Sequence, residues 1–200
     1  SAVGFRNKAA SENASAVGYG NNANALAASA VGYNNTAGGV GSSTIGYNNT
    51  ATNENASAFG YGNTAGGLAS SAFGFSNTAS GDNANAFGYN NIASGSKSNV
   101  FGTGNTVSGS SSTAVGTANE VAAENSTAIG NNNTISSGAE NSAALGNNIS
   151  ISLKDSVALG NNSTATAINS VTGNSSYTKW AGVSDVVGVV SVGSSGATRQ

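Results

Sequence analysis

Ser57-Ala58-Phe59-Gly60-Tyr61-Gly62-Asn63-Thr64-Ala65 is followed, fourteen residues on, by Ser71-Ala72-Phe73-Gly74-Phe75-Ser76-Asn77-Thr78-Ala79. Fourteen further on stands Asn85-Ala86-Phe87-Gly88-Tyr89-Asn90-Asn91-Ile92-Ala93. A fixed period decides the architecture before any other feature does. Working outward, the same glycine recurs as Gly4, Gly18, Gly32, Gly46, Gly60, Gly74, Gly88, Gly102, Gly116, Gly130, Gly146 and Gly160. The spacing is 14 except between Gly130 and Gly146, where two residues enter, most simply within residues 136–140. Before each glycine stands an apolar residue, and before that Ala in ten of twelve repeats, Thr44 and Val100 being the exceptions. Three residues after it ten successive repeats carry Asn, from Asn7 to Asn133. Five residues after it comes Ala, Val or Ile without exception.

Composition alone would mislead. Leu, Ile, Val and Phe make up 17% of the 200 residues, low for a globular core. Disorder would suit that figure only if net charge were high, and it is −2 with 7% charged residues. Stacked repeats escape the problem, because single apolar groups align into continuous columns. The absence of proline suits long hydrogen-bonded ladders, and abundant Gly, Asn and Ser supply turns. Six basic residues spread over the chain make no face for phosphate, so no nucleic-acid partner is expected. With no histidine there is no Ser-His-Asp arrangement, and with no cysteine there is no thiolate metal site. The repeat also lacks the in-register Asp of calcium-binding nonapeptide rolls. The chain is expected to be no enzyme and to use no metal or cofactor. No signal peptide or membrane span is visible, so no membrane contact is expected of this stretch.

Fourteen residues are too few for a pair of helices, which takes roughly 33. Short runs broken by Gly and Asn read instead as short strands and turns. The reading is all-β: a parallel β-roll, or solenoid, of about twelve 14-residue coils with two strands each. At about 4.8 Å per coil the rod is roughly 58 Å long. In Ala-Val-Gly-Tyr the side chains alternate, so Ala and Gly share one face and the bulky residues the other. The bulky column Val17, Val31, Ile45, Phe59, Phe73, Phe87, Phe101, Val115, Ile129, Leu145 and Leu159 is expected as the core of the repeat, covered either by the opposite sheet or by another chain. The Asn column reads as a turn residue with left-handed backbone or as an amide ladder from coil to coil.

Asn125-Ser126-Thr127-Ala128-Ile129-Gly130, Asn141-Ser142-Ala143-Ala144-Leu145-Gly146 and Asp155-Ser156-Val157-Ala158-Leu159-Gly160 resemble the Asn-Ser-x-Ala-φ-Gly repeat of the YadA-like head of trimeric autotransporter adhesins, surface proteins of Gram-negative bacteria. The resemblance implies a left-handed β-roll over residues 1–165, a homotrimer made with two further copies of the chain, and display at the bacterial cell surface on the outer membrane. Trp180-Ala181-Gly182, Gly188-Val189-Val190-Ser191-Val192-Gly193 and Thr198-Arg199-Gln200 are similar to the passage from such heads toward a neck. Residues 166–200 are accordingly expected to form a cap and transition, with Trp180 covering the end of the roll, and the chain to be a piece of a longer protein whose neck, stalk and anchor lie elsewhere. The departures from the family's pattern are aromatic. Phe replaces Ile or Val at 59, 73, 87 and 101, and a second aromatic follows the glycine from Phe5 to Tyr89 before giving way to Thr and Asn.

The family binds collagen, fibronectin, laminin or receptors of the carcinoembryonic-antigen type, so a host matrix protein or cell-surface receptor is the expected partner. Six residues before each glycine lies a column of variable chemistry. In it Leu26, Val40 and Leu68 are apolar where Glu and Asp are common. Exposed apolar clusters mark contact sites. With Tyr33, Tyr47 and Tyr61, these three are the candidate receptor patch, set against a plainer reading in which they tuck under the turn or into a trimer interface. Two rival functions remain: a passive head capping a stalk that binds elsewhere, and an ice-binding solenoid using the partial threonine column Thr36, Thr50, Thr64, Thr78 and Thr106. The latter is broken at Ile92 and Glu120.

Overall fold

The computed structural model describes residues 1–166, 190–194 and 197–198. Over the first of these stretches the chain winds through twelve coils, numbered here by their glycines from Gly4 to Gly160. Each coil has a longer strand ending one residue past the glycine, or just before it in the last coil, and a two-residue strand. Coil 5, with Ser57–Tyr61 and Thr64–Ala65, is typical. Coils stack in parallel and in register: Ala58 opposes Ala72, Phe59 opposes Phe73 and Gly60 opposes Gly74. The longer strands form one sheet and the two-residue strands a second, twelve-stranded sheet. The result is a parallel β-solenoid, as the period implies, with no helix among the described residues. The longer-strand sheet gains a thirteenth member from the tail, Val190–Ser191, which pairs parallel with Val157–Leu159. Gly193–Ser194 and Ala197–Thr198 then pair antiparallel. Trp180 lies outside the described residues.

Two corners per coil adopt left-handed backbone. One lies two residues after the glycine, as at Asn34 (φ 52°), Asn48 (φ 56°) and Asn90 (φ 54°). The other lies five residues before it, as at Asn13 (φ 57°), Asn55 (φ 56°) and Asn83 (φ 57°). Asparagine and glycine tolerate this region and other residues resist it. Ala27 (φ 55°) and Ala69 (φ 51°) occupy it without that tolerance. Ala69→Gly is therefore expected to stabilise the protein by about 1 kcal/mol, against the usual cost of introducing glycine. Denaturant unfolding checks this, and a lowered midpoint would contradict the corner assignment.

The core is narrow because it is made of small residues. Ala16, Ala30, Ala58, Ala72 and Ala86, two before the glycine, are fully buried, as are Ala23, Ala37, Ala51, Ala65 and Ala79, five after it. Alanine on both sheets lets them close to a separation that larger side chains would prevent. The bulky column expected as the repeat core is not inside the roll. Alternation points it the other way, onto the outer face of the longer-strand sheet. There Val17, Val31, Ile45, Phe101, Val115, Ile129, Leu145 and Leu159 are exposed in the single chain and Phe59, Phe73 and Phe87 half-buried. From coil 8 onward the interior widens, with Val100, Val107, Val121, Ile135, Ile149 and Ile151 all buried. That is where the aromatic residue after the glycine gives way to Thr103 and its successors. Coils 2 to 7, which stack aromatic rings outside, have no interior residue larger than alanine at these two positions except Thr44.

The repeat glycine is required twice over. In Gly74 φ is +116°, a region side chains rarely enter, and a Cβ there would overlap the carbonyl oxygen of Gly88 in the next coil. Against this glycine packs the Asn column, buried from Asn21 to Asn133. Asn77 donates through Nδ2 to the carbonyls of Phe73 (2.9 Å) and Gly88 (2.7 Å) and to Oδ1 of Asn63 (3.1 Å). Its own Oδ1 accepts from the backbone N–H (3.1 Å) and Nδ2 (3.0 Å) of Asn91. Of the two readings of this column the amide ladder is the one observed, and left-handed backbone belongs to the preceding corner residue instead. The ladder ends at coil 11, where the backbone N–H of Ile149 donates to Oδ1 of Asn133 (3.0 Å). In that half of the rod serine hydroxyls four residues before the glycine form a second ladder, with Ser126, Ser142 and Ser156 backbone N–H groups donating to Oγ of Ser112, Ser126 and Ser142.

Candidate interaction faces

Chemistry on the surface of this rod is set by strand alternation. On the outer face of the longer-strand sheet two columns run side by side, the residues immediately before and after the repeat glycine. The first is apolar along all twelve coils, from Val3 to Leu159. In its middle Phe73 and Phe87 stack with ring centroids 4.9 Å apart and planes 8° from parallel, and Phe87 and Phe101 at 5.2 Å and 8°. The second column stacks Phe5, Tyr19, Tyr33, Tyr47, Tyr61, Phe75 and Tyr89 in one unbroken pile. Tyr33 and Tyr47 lie 4.9 Å apart at 3°, and Tyr47 and Tyr61 4.9 Å apart at 2°. The spacing of rings follows that of the coils, so aromatics in register must stack. Within the pile each ring face is covered by the next ring, and what faces solvent is ring edge and phenolic hydroxyl; at its first ring the Arg6 guanidinium lies over Phe5, 5.2 Å from the centroid. Such a surface suits apolar contact and hydrogen bonding along the rod.

Below coil 8 the second column is polar. Asn131 donates through Nδ2 to Oδ1 of Asn147 (2.7 Å), and Asn147 likewise to Asn161 (2.7 Å). The outer face therefore has an aromatic half and an amide half beside one continuous aliphatic and phenylalanine stripe.

Leu26, Val40 and Leu68 are exposed, at 45%, 46% and 43%, and none tucks beneath its turn. They sit at the corner that precedes the longer strand, whereas Tyr33, Tyr47 and Tyr61 close that strand at its far end. Within one chain the candidate patch is thus divided between two edges of the roll. Leu26 and Val40 are in neighbouring coils, and the coil of Glu54 separates them from Leu68. The sequence suggests them as one patch because the three apolar residues of a variable column have these tyrosines nearby in the chain. The half-coil offset of seven residues between them was the signal that sets them apart.

The opposite sheet presents one threonine per coil from Thr36 to Thr78, in register. Ile92 and Glu120 interrupt that column. Among the described residues no three acidic side chains gather as a metal-holding group.

The model of the YadA head domain repeat matches residues 1–21, 37–63, 65–91, 108–133 and 154–171, more than half of the chain. A comparison with curated proteins finds no match. The matched repeats are those whose glycine, alanine and asparagine columns build the solenoid, and the family is one of adhesins rather than of enzymes. This chain belongs to the YadA head family and is a YadA-like head domain of a trimeric autotransporter adhesin.

Proposed function

We propose that this domain is a rigid, trimeric adhesin head that attaches a Gram-negative bacterium to host extracellular matrix or to a host cell-surface receptor. Residues 1–165 form the roll, left-handed as the family implies, and residues 166–200 cap it and lead toward a neck. Collagen, fibronectin, laminin and receptors of the carcinoembryonic-antigen type are the partner classes the family brings with it. The observation that carries the reading is the apolar stripe from Val3 to Leu159, exposed on the outer face of a single chain. A stripe this long exceeds what a monomer leaves in water. Two further copies of the chain cover it, and a symmetric assembly repeats every remaining surface three times, which raises avidity without new contacts.

Two experiments test this. Replacing Val115 and Ile129 by Asp places charge on the stripe while leaving the interior of the roll untouched. The trimer is expected to dissociate with the solenoid's circular dichroism retained, and a trimer that survives would move the interface elsewhere. Bacteria displaying the whole adhesin are expected to adhere to matrix-coated surfaces or epithelial cells, and to lose adhesion when the head is deleted. Alanine at Leu26, Val40 and Leu68 in one variant, and at Tyr33, Tyr47 and Tyr61 in another, then separates the two edges. Undiminished adhesion after head deletion would leave the head a passive cap on the stalk.

A further inference from the structure

Ladder and corner asparagines play different parts in this fold, and the difference between them falls along the acceptor motif for N-linked sugar. Ladder asparagines are never followed by Ser or Thr at the second position, because that position is the buried Ala, Val or Ile column. Corner asparagines often are. Asn34-Asn35-Thr36, Asn48-Asn49-Thr50 and Asn162-Ser163-Thr164 lie on the corner after the glycine, and Asn13-Ala14-Ser15, Asn55-Ala56-Ser57 and Asn125-Ser126-Thr127 on the corner before it. All six asparagines are exposed and in left-handed backbone, and their side-chain amides make no hydrogen bond among the described residues. Asn132 and Asn148 carry the motif too, but bond to each other through Nδ2 and Oδ1 (2.9 Å). The contrast with the ladder is chemical: a buried Nδ2 such as that of Asn77 is saturated by three acceptors, and a corner Nδ2 is free to react.

We propose that the corner asparagines Asn13, Asn34, Asn48, Asn55, Asn125 and Asn162 are sites of N-linked glycosylation. In the transfer, Nδ2 forms a bond to the anomeric carbon of a sugar carried on a diphosphate. The sugar–oxygen bond breaks, the diphosphate leaves with the electron pair, and the amide proton passes to the transferase. The sugar then projects from a corner at the rim of a sheet, where it displaces no packed group, and the two corner columns clothe the edges of the rod while leaving its apolar stripe bare. Asn-x-Ser/Thr is the acceptor pattern and such sites lie on surfaces. The inference does not depend on which partner the head binds.

The test is peptide mass spectrometry of the whole adhesin taken from the surface of the bacterium that makes it. Sugar-mass increments are expected on peptides bearing these corners and on no ladder asparagine. Increments of single monosaccharides identify a nucleotide-linked donor, and one fixed oligosaccharide identifies a lipid-linked donor. Asn34→Gly, which keeps a residue suited to the left-handed corner as Gly20 and Gly62 do, and Thr36→Ala are each expected to abolish the increment at residue 34 while leaving the trimer as it was. Thr36→Ala keeps the asparagine and breaks only the motif, which separates modification from structure. Unmodified peptides throughout, or sugar confined to serine and threonine hydroxyls, would overturn the proposal.

Discussion

Gly74→Ala is expected to cost roughly 4 kcal/mol or more, the sum of a backbone region nearly closed to side chains and an overlap with the neighbouring coil. The atom in the way is the carbonyl oxygen of Gly88, part of the backbone ladder and unable to rotate aside. Relief therefore requires coils 6 and 7 to separate. In a solenoid each coil contacts only its neighbours, so the damage is local in space but divides the rod. Hydrogen exchange should show protection lost on both sides of residue 74, with a lowered or split thermal transition. Gly160→Ala, in the last coil, where no repeat glycine follows, is expected to cost less. Equal effects at the two positions would mean that crowding between coils is not what selects glycine.

Asn77→Ala is expected to destabilise by roughly 3–5 kcal/mol, because it strands several buried groups at once. The Phe73 and Gly88 carbonyls and Oδ1 of Asn63 lose a donor, and the backbone N–H of Asn91 loses an acceptor. Water does not reach them, since both Asn63 and Asn77 are fully buried. Asn77→Asp is the sharper probe. It keeps the shape but turns the donor end into an oxygen facing three others. Its carboxyl is pushed above the ordinary range, so the variant should be least stable at neutral pH and recover part of its stability as acid protonates it. Chemical denaturation at several pH values checks the sign. A variant equally stable across the range would show that the amide donates nothing essential.

The period, the two strands per coil and the parallel stacking were legible in the sequence, because Gly60, Gly74 and Gly88 recur at a spacing that leaves no other reading. The amide ladder was legible as one of two possibilities, since Asn63 and Asn77 match the spacing of the coils. The direction of the bulky column was not. Alternation put Phe73 opposite Ala72 in orientation without saying which faced inward, and both directions stayed open. The roll is closed by alanine on both sheets, so its interior is too thin for phenylalanine. The invariance of the small apolar residue five after the glycine was the clue, because a position limited to Ala, Val and Ile is a confined one. The layout of the candidate patch follows from a related count: Leu68 and Tyr61 are seven residues apart, half a coil, and so stand on opposite edges of a single chain. The stack from Phe5 to Tyr89 follows from the period, because register brings every ring onto the next.

The central claim is that the exposed stripe is covered by two further copies of this chain. Native mass by light scattering tests it directly. A particle of three times the 19.2 kDa chain mass is the predicted result, with the Val115 and Ile129 substitutions shifting it to one chain. A stable, fully folded monomer at concentrations well above those of the assay would contradict it, because the stripe would then be content in water.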